Sequence, residues 1–371
     1  MSFVTTPVPD VSIPPSPAMG AAVERPRLRT PGSLAKMFGT PLNAVLTILF
    51  LAAIASIVPG MLRWLVLDAA FLPAQPETCK AAQGACWSFV IAKSSQILFG
   101  IYPPNERWRP ALVCLLILAV LGWSVRPTSW TKKMAFIWLG AMVAIIWLMR
   151  GGFGLAYVPT SSWGGLPVTL ILTVIAIAIA FPAAILLALG RRSDMPVVSV
   201  MCVLLIETIR GLPLLSILFV ASIMLPLFVP EALLPDKFVR ALVALTLFAS
   251  AYLAEVIRGG LQAIPNGQYD GAKSLGLGYW TMQRLIVLPQ AIKIVIPALA
   301  NTIIVMIKNT SLVMVVGLFD LISSGKAALA DPLWPSPSLE TYLFIAAIYF
   351  ALAFAFGRFA DFMERRGTTA H

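Results

Sequence analysis

The feature that most constrains this chain is a succession of apolar runs, each about as long as a bilayer is thick. With a window of about 20 residues, the length that crosses a hydrocarbon core as helix, spans are expected near 41–66, 110–125, 134–149, 167–190, 205–229, 237–257, 294–320 and 339–362. Composition leaves no soluble alternative. Of 371 residues, 59% are hydrophobic and only 12% charged, with mean hydropathy +0.89, too little polar surface to cover a globule of this size. The expected class is an all-α integral membrane protein with about eight transmembrane helices, because a helix satisfies its own backbone polar groups in lipid.

A formal net charge of +11 would suit a nucleic-acid binder, but here the charge lies in short segments flanking the apolar runs. That placement is an orientation signal, so membrane lipid rather than nucleic acid is the expected partner. Arg25, Arg27, Arg29 and Lys36 precede the first span, Arg126, Lys132 and Lys133 lie between the second and third, and Arg191 and Arg192 follow the fourth. Arg258, Lys273, Arg284 and Lys293 fall on the same side, as do Arg358, Arg365 and Arg366 at the end of the last span. Both termini are therefore expected in the cytoplasm. Residues 1–40, Pro-rich and without apolar periodicity, read as a disordered tail; for a cleaved signal peptide the first apolar run begins too late and runs too long.

On the opposite side the largest loop, 67–109, carries Cys79 and Cys86, the two cysteines outside apolar segments. An oxidising compartment there would let them close a small ring, with two free thiols as the alternative. Cys114 and Cys202 are more simply small core residues. No catalytic residue, metal or cofactor is expected. The sole histidine, His371, is terminal, which removes a histidine triad or a His-rich metal site. Around Gly325-Lys326 a phosphate loop fails, since Asp320 stands where its first glycine belongs and Ala327 replaces the Ser or Thr that holds magnesium. If ATP is used, another subunit supplies the site.

The stretch "QYDGAKSLGLGYWTMQRLIVLPQA", 268–291, is far more polar than the apolar runs on either side. It reads as two short helices, with Gly276-Leu277-Gly278 as the break and Pro289 disfavouring helix at Leu288. It resembles the signature of ATP-binding-cassette importer permeases: Glu-Ala-Ala, three residues, Gly, nine residues, Ile, any residue, Leu-Pro. Asp270, Gly271 and Ala272 stand for its acidic start, Gly276 for the glycine, Ile286 for the isoleucine, and Leu288-Pro289 close it. Asp270 is one methylene shorter than Glu, and Gly271 is a weaker helix former than Ala. "GGLPVTLILT", "IETIRGLPLL", "AYLAEVIRGGLQAIPNGQ" and "MIKNTSLVMVVG" follow in the order of the polar-amino-acid (histidine/glutamine) branch of these permeases. The N-terminal third, with its extra spans and long loop, is similar to the M-type subunit of general L-amino-acid permeases.

The resemblance implies the type I importer permease fold with a five-helix core over 163–366, a coupling loop over 258–293, and an N-terminal extension over 41–150. It also implies partners: a second homologous permease, two ABC ATPase subunits and a periplasmic amino-acid-binding protein. Coupling to the ATPase would fall to Asp270, Gly271, Ala272, Gly276, Leu288 and Pro289. Glu255 and Arg258, three apart at the end of a span, form a candidate ion pair, and Glu207 and Arg210 repeat that spacing before "GLPLL". That Gly-Pro break reads as a hinge or as an interfacial helix joining a span. Lys308, Asn309, Thr310 and Ser311 place a cation and three hydrogen-bonding side chains inside an apolar run, where an ionisable group normally faces a bundle interior or a water-filled path. The alternative for Lys308 is snorkelling to the cytoplasmic interface from near the span's start. A secondary transporter or channel would not need the docking loop, and a membrane enzyme would need a catalytic constellation this chain lacks.

Overall fold

The computed structural model describes residues 37–126 and 131–368, except for the side chains of Lys132 and residues 366–368. The expected N-terminal tail, beyond residues 37–40, lies outside the described residues, as do Arg25, Arg27, Arg29, Lys36 and His371 and the side chains of Lys132 and Arg366. The chain divides into two units after Leu62. In the first, helix α1 (Pro41–Leu62) is apolar on every side and buries none of its residues, the pattern of a helix whose solvent is hydrocarbon. Thr40 starts it, its hydroxyl accepting the Asn43 amide at 3.2 Å and its carbonyl the Ala44 amide.

Among the described residues, the second unit holds every other helix named below. Two short ones, α2 (Pro76–Ala81) and α3 (Trp87–Phe99), precede the spans α4 (Trp108–Ser124) and α5 (Lys132–Arg150). Then come α6 (Leu166–Arg191), α7 (Pro196–Gly211), α8 (Leu214–Phe228), α9 (Lys237–Gln262) and α10 (Asn266–Ser274). The chain closes with α11 (Tyr279–Val316), α12 (Leu321–Leu329) and α13 (Ser338–Thr368). Among the described residues seven helices are long and apolar enough to cross a membrane, or eight if α7 and α8 count together as one span.

Helices α6 and α9 form the spine. Ala176, Ala180, Ala184 and Ala188 recur every fourth residue on α6 and are wholly buried, and Ala241, Ala244, Ala251 and Ala254 are buried on α9. Such stripes let two backbones approach closely, the device by which helices associate where lipid removes the hydrophobic drive.

Two spans differ from the sequence expectation. The run 205–229 is not one straight crossing: α7 ends at Gly211, Pro213 has no amide to continue the ladder, and α8 leaves at 102°. The run 294–320 begins far earlier, at Tyr279, because the expected stop at Pro289 does not occur. Leu288 stays helical at φ −59, ψ −43. A π-helical turn at Gln283–Val287 loosens the ladder ahead of the proline and lets the helix run through it. A second π turn, Val220–Met224 in α8, hands the Ser222 carbonyl to buried Arg240 Nη1 at 2.8 Å.

The loop 67–109 is largely helical. Phe89, Val90 and Ile97 of α3 pack with Leu321 and Ala328 of α12 and with Trp334 and Ile345, and Phe89 meets Trp334 edge-on with ring centroids 5.3 Å apart. Lys93 pairs with Asp331 at 2.6 Å, and the Cys86 amide donates to Glu340 Oε1 at 2.7 Å. Gly165, at φ +73, lets the start of α6 lie against this element, since an added Cβ would collide with the Leu98 carbonyl.

Candidate coupling loop and translocation cavity

Helix α10 ends on a hydrogen-bonded cap. The Leu277 amide donates to the Ala272 carbonyl at 3.2 Å and the Gly276 amide to the Lys273 carbonyl at 2.9 Å, the two bonds of a Schellman motif. The motif needs a left-handed residue, and Gly276 supplies it at φ +71. An added Cβ there would meet open space, so the glycine serves the turn rather than a close approach within this chain.

The loop has two faces. Ala272, Met282 and Val287 are buried, and Leu277, Ile286 and Leu288 pack half-buried against the core. Asp270, Gly271, Lys273, Gly276 and Pro289 point outward together with exposed Leu275, Trp280 and Leu285. Helix α10 is tied to its neighbours by polar contacts: Tyr269 Oη donates to the Leu261 carbonyl at 3.2 Å, and Gln290 Nε2 donates to Gln268 Oε1 at 3.1 Å. The guanidinium of Arg192 lies 5.7 Å above the Tyr269 ring and donates to its hydroxyl at 3.2 Å.

Beside the loop the two expected ion pairs are one network. Arg258 grips Glu255 through Nε at 3.0 Å and through Nη2, whereas Arg210 stands at 3.8 Å from both Glu207 and Glu255. Arg191 joins them, donating to Glu207 at 2.8 Å and to Glu255 at 3.2 Å. One guanidinium thus ties the ends of α6, α7 and α9. Sequence spacing carries no sign of this, because Arg191 is 16 residues from Glu207 and 64 from Glu255.

The four polar residues near the end of α11 separate. Lys308 and Ser311 line an open cavity of about 440 Å³ together with Ile322 and with Tyr342, Ile345, Tyr349 and Phe350 of α13. Thr310 is fully buried, its hydroxyl turned back to the Ile307 carbonyl at 2.6 Å, and Asn309 is half-buried. Because the helix begins at Tyr279, Lys308 lies well past the middle of a 38-residue span.

Asp320, which stands in the sequence where a phosphate loop needs glycine, has a structural role that spacing alone does not assign. It is fully buried and caps α12, accepting the Ile322 amide at 3.1 Å, the Ser323 amide at 2.9 Å and the Ser323 hydroxyl at 2.5 Å. Tyr349, on the cavity wall, reaches it with its hydroxyl at 3.5 Å. Burial pushes its carboxyl above the ordinary range, against the pull of the Ser323 and Ile322 hydrogen bonds. The signal was an N-cap residue directly before an apolar run. Cys79 and Cys86 are bonded to each other with Cα atoms 5.3 Å apart, and Cys114 is buried.

Residues 180–368 match the model for the binding-protein-dependent transport system inner membrane component. The chain is 45% identical over 342 residues to the inner membrane amino-acid ABC transporter permease protein YhdY of Escherichia coli (strain K12), covering 90% of this chain and 93% of that one. It is 34% identical over 398 residues to the glutamate/glutamine/aspartate/asparagine transport system permease protein BztC of Rhodobacter capsulatus, covering 89% and 92%. Among solved structures, a chain of an amino acid ABC transporter crystallised with histidines is 36% identical, covering 54% of this chain and 92% of its own, with a TM-score of 0.49. This chain belongs to the family of binding-protein-dependent transport system inner membrane components, with that family's importer permease fold.

Proposed function

We propose that the chain is the membrane-spanning subunit of an importer that carries L-amino acids across the bacterial inner membrane, driven by ATP hydrolysed on a separate subunit. The observation that carries this reading is the loop around Gly276. Its inner face is anchored in the helix bundle while its outer face presents Asp270, Gly271, Lys273, Leu275 and Trp280 on a hydrogen-bonded turn. A rigid mixed patch of this kind suits a folded protein partner, and it lies beside the network that joins α6, α7 and α9. We assign ATPase contact to Asp270, Gly271, Gly276 and Pro289, and anchoring to Ala272 and Leu288.

The wider assembly follows the family: two ATPase subunits, a substrate-binding protein on the far side, and a second, homologous permease as a heterodimer. Amino-acid cargo is supported by the relatives' names and by the cavity at Lys308, whose ammonium suits a carboxylate. In this reading both termini face the cytoplasm, residues 163–366 are the transporting core and 41–150 an added segment.

The test is Gly276→Asp in the complete complex. Aspartate strains a left-handed turn by about 1–3 kcal/mol and brings a charge to the contact, while the bundle is untouched. The expected variant inserts and assembles with its permease partner, but loses ATPase association and binding-protein-stimulated hydrolysis. Near wild-type stimulated hydrolysis would remove the coupling role.

A further inference from the structure

The chain turns from α5 to α6 through Arg150-Gly-Gly-Phe-Gly-Leu155, and four successive residues, Gly151 to Gly154, have positive φ. The Gly152 and Leu155 backbones exchange hydrogen bonds at 3.0 and 3.2 Å, so Phe153 and Gly154 are the central pair of a two-residue hairpin turn. Positive φ at both is the type I′ pattern, which selects Gly, Asn or Asp. A bulky side chain at φ +49 is an outlier, and Phe153 is 100% exposed.

The turn's base is over-determined. Arg109, itself fully buried, donates from Nε to the Leu148 carbonyl at 2.6 Å and from Nη1 to the Ala156 carbonyl at 2.9 Å. It thereby holds the end of α5 and the returning strand of the turn together. Trp147 Nε1 donates to the Gly152 carbonyl at 2.9 Å, and the Val158 amide to the Arg150 carbonyl at 2.8 Å. An added Cβ at Gly151 would strike the Ala156 carbonyl. Nothing about Phe153 is left to a floppy loop.

Further exposed aromatics lie beside the turn and next to Arg109 in the chain. Tyr157 is 64% exposed beneath the Arg150 guanidinium, 5.6 Å from its ring centre, and Trp108 is 52% exposed at the start of α4. Trp147 and Arg150 close the apolar span α5. Aromatic rings with a cation where an apolar span ends are the composition of a membrane–water interface, and Phe153 projects beyond them on a fixed turn. We propose that the 151–157 turn is an interfacial anchor, with Phe153 inserted into the lipid headgroup and upper acyl region at the end of the bundle opposite the coupling loop. The occupant of this surface is phospholipid.

The test uses the assembled transporter in lipid nanodiscs. A nitroxide is placed at Phe153→Cys after Cys114→Ala and Cys202→Ala remove the other free thiols. Its collision rates with oxygen and with a water-soluble nickel chelate are compared with those of a label at exposed Asp194→Cys. The oxygen-to-nickel ratio at 153 is expected several-fold above that at 194; equal ratios overturn the proposal. Because labelling removes the ring, benzoylphenylalanine at 153 provides a second reading. Irradiation is expected to yield a covalent phospholipid adduct by mass spectrometry. Cross-linking to the substrate-binding protein alone, or to no lipid, overturns the anchor.

Discussion

At the residue scale, Asp320 ties the buried start of α12 to the wall of the cavity that Lys308 lines. Asp320 holds two backbone amides and a hydroxyl at the start of α12 while contacting Tyr349 on the cavity wall. Its carboxyl is pushed up by burial, so the folded state favours the proton more than the unfolded chain does, and the group stabilises the fold less as pH rises through its folded value. Asp320→Asn carries no titrating charge there. The stability advantage of wild type over this variant is therefore expected to shrink as pH is raised from the ordinary carboxylate value toward neutrality, measured by thermal unfolding of the purified complex. Asp320→Ala, which also strands the buried amides, should lie about 1–2 kcal/mol below Asp320→Asn, a difference between two non-titrating side chains that holds at every pH. For Lys308, Lys308→Met keeps the apolar stem and removes the charge. Uptake is expected to fall while abundance and assembly hold, and wild-type uptake at equal protein level would separate this residue from the pathway.

At the element scale, the bracket at the ends of α6, α7 and α9 is held by side chains about a quarter to a half exposed. Each exposed pair contributes little, about 0.2–1 kcal/mol, so the network's value is geometric. Arg191→Gln cuts the link between α6 and both carboxylates, whereas Arg258→Gln removes a contact within α9 alone. The first is expected to lower the uptake obtained per ATP hydrolysed clearly more than the second, with both complexes unfolding within a few degrees of wild type. Vesicle uptake and ATPase assays run in parallel check it; identical ratios would leave Arg191 a surface ion pair. The unit of α2 and α3 makes the complementary point. A stretch that reads as a loop is a helical cap because the disulfide, Phe89 and the Cys86–Glu340 bond give it a small core with α12.

At the scale of the whole molecule, the first unit offers the plainest test. Helix α1 is apolar on every side and buries none of its residues. Replacing 41–62 by a Leu-Ala span of equal length is expected to preserve assembly and uptake, measured on purified complexes and in cells. Substantial loss would show that α1 makes a specific contact in the assembled transporter.

The sequence by itself determined the membrane class, the place of most apolar runs and the permease signature around Gly276. Each depends on local quantities: the length of an apolar run, the positions of Lys and Arg, and the spacing of a glycine from a Leu-Pro pair. Only the tertiary structure decided that α11 runs through Pro289, that α7 and α8 meet at 102°, and that Arg191 unites Glu207 with Glu255. The same holds for Lys308 and Ser311 lining a cavity while Thr310 turns into the core. A π turn, a bend and an ion bracket all depend on what lies across the bundle, far away along the chain. In lipid, hydrophobicity marks a helix as spanning without saying which of its sides is inside, because protein interior and surrounding hydrocarbon are equally apolar.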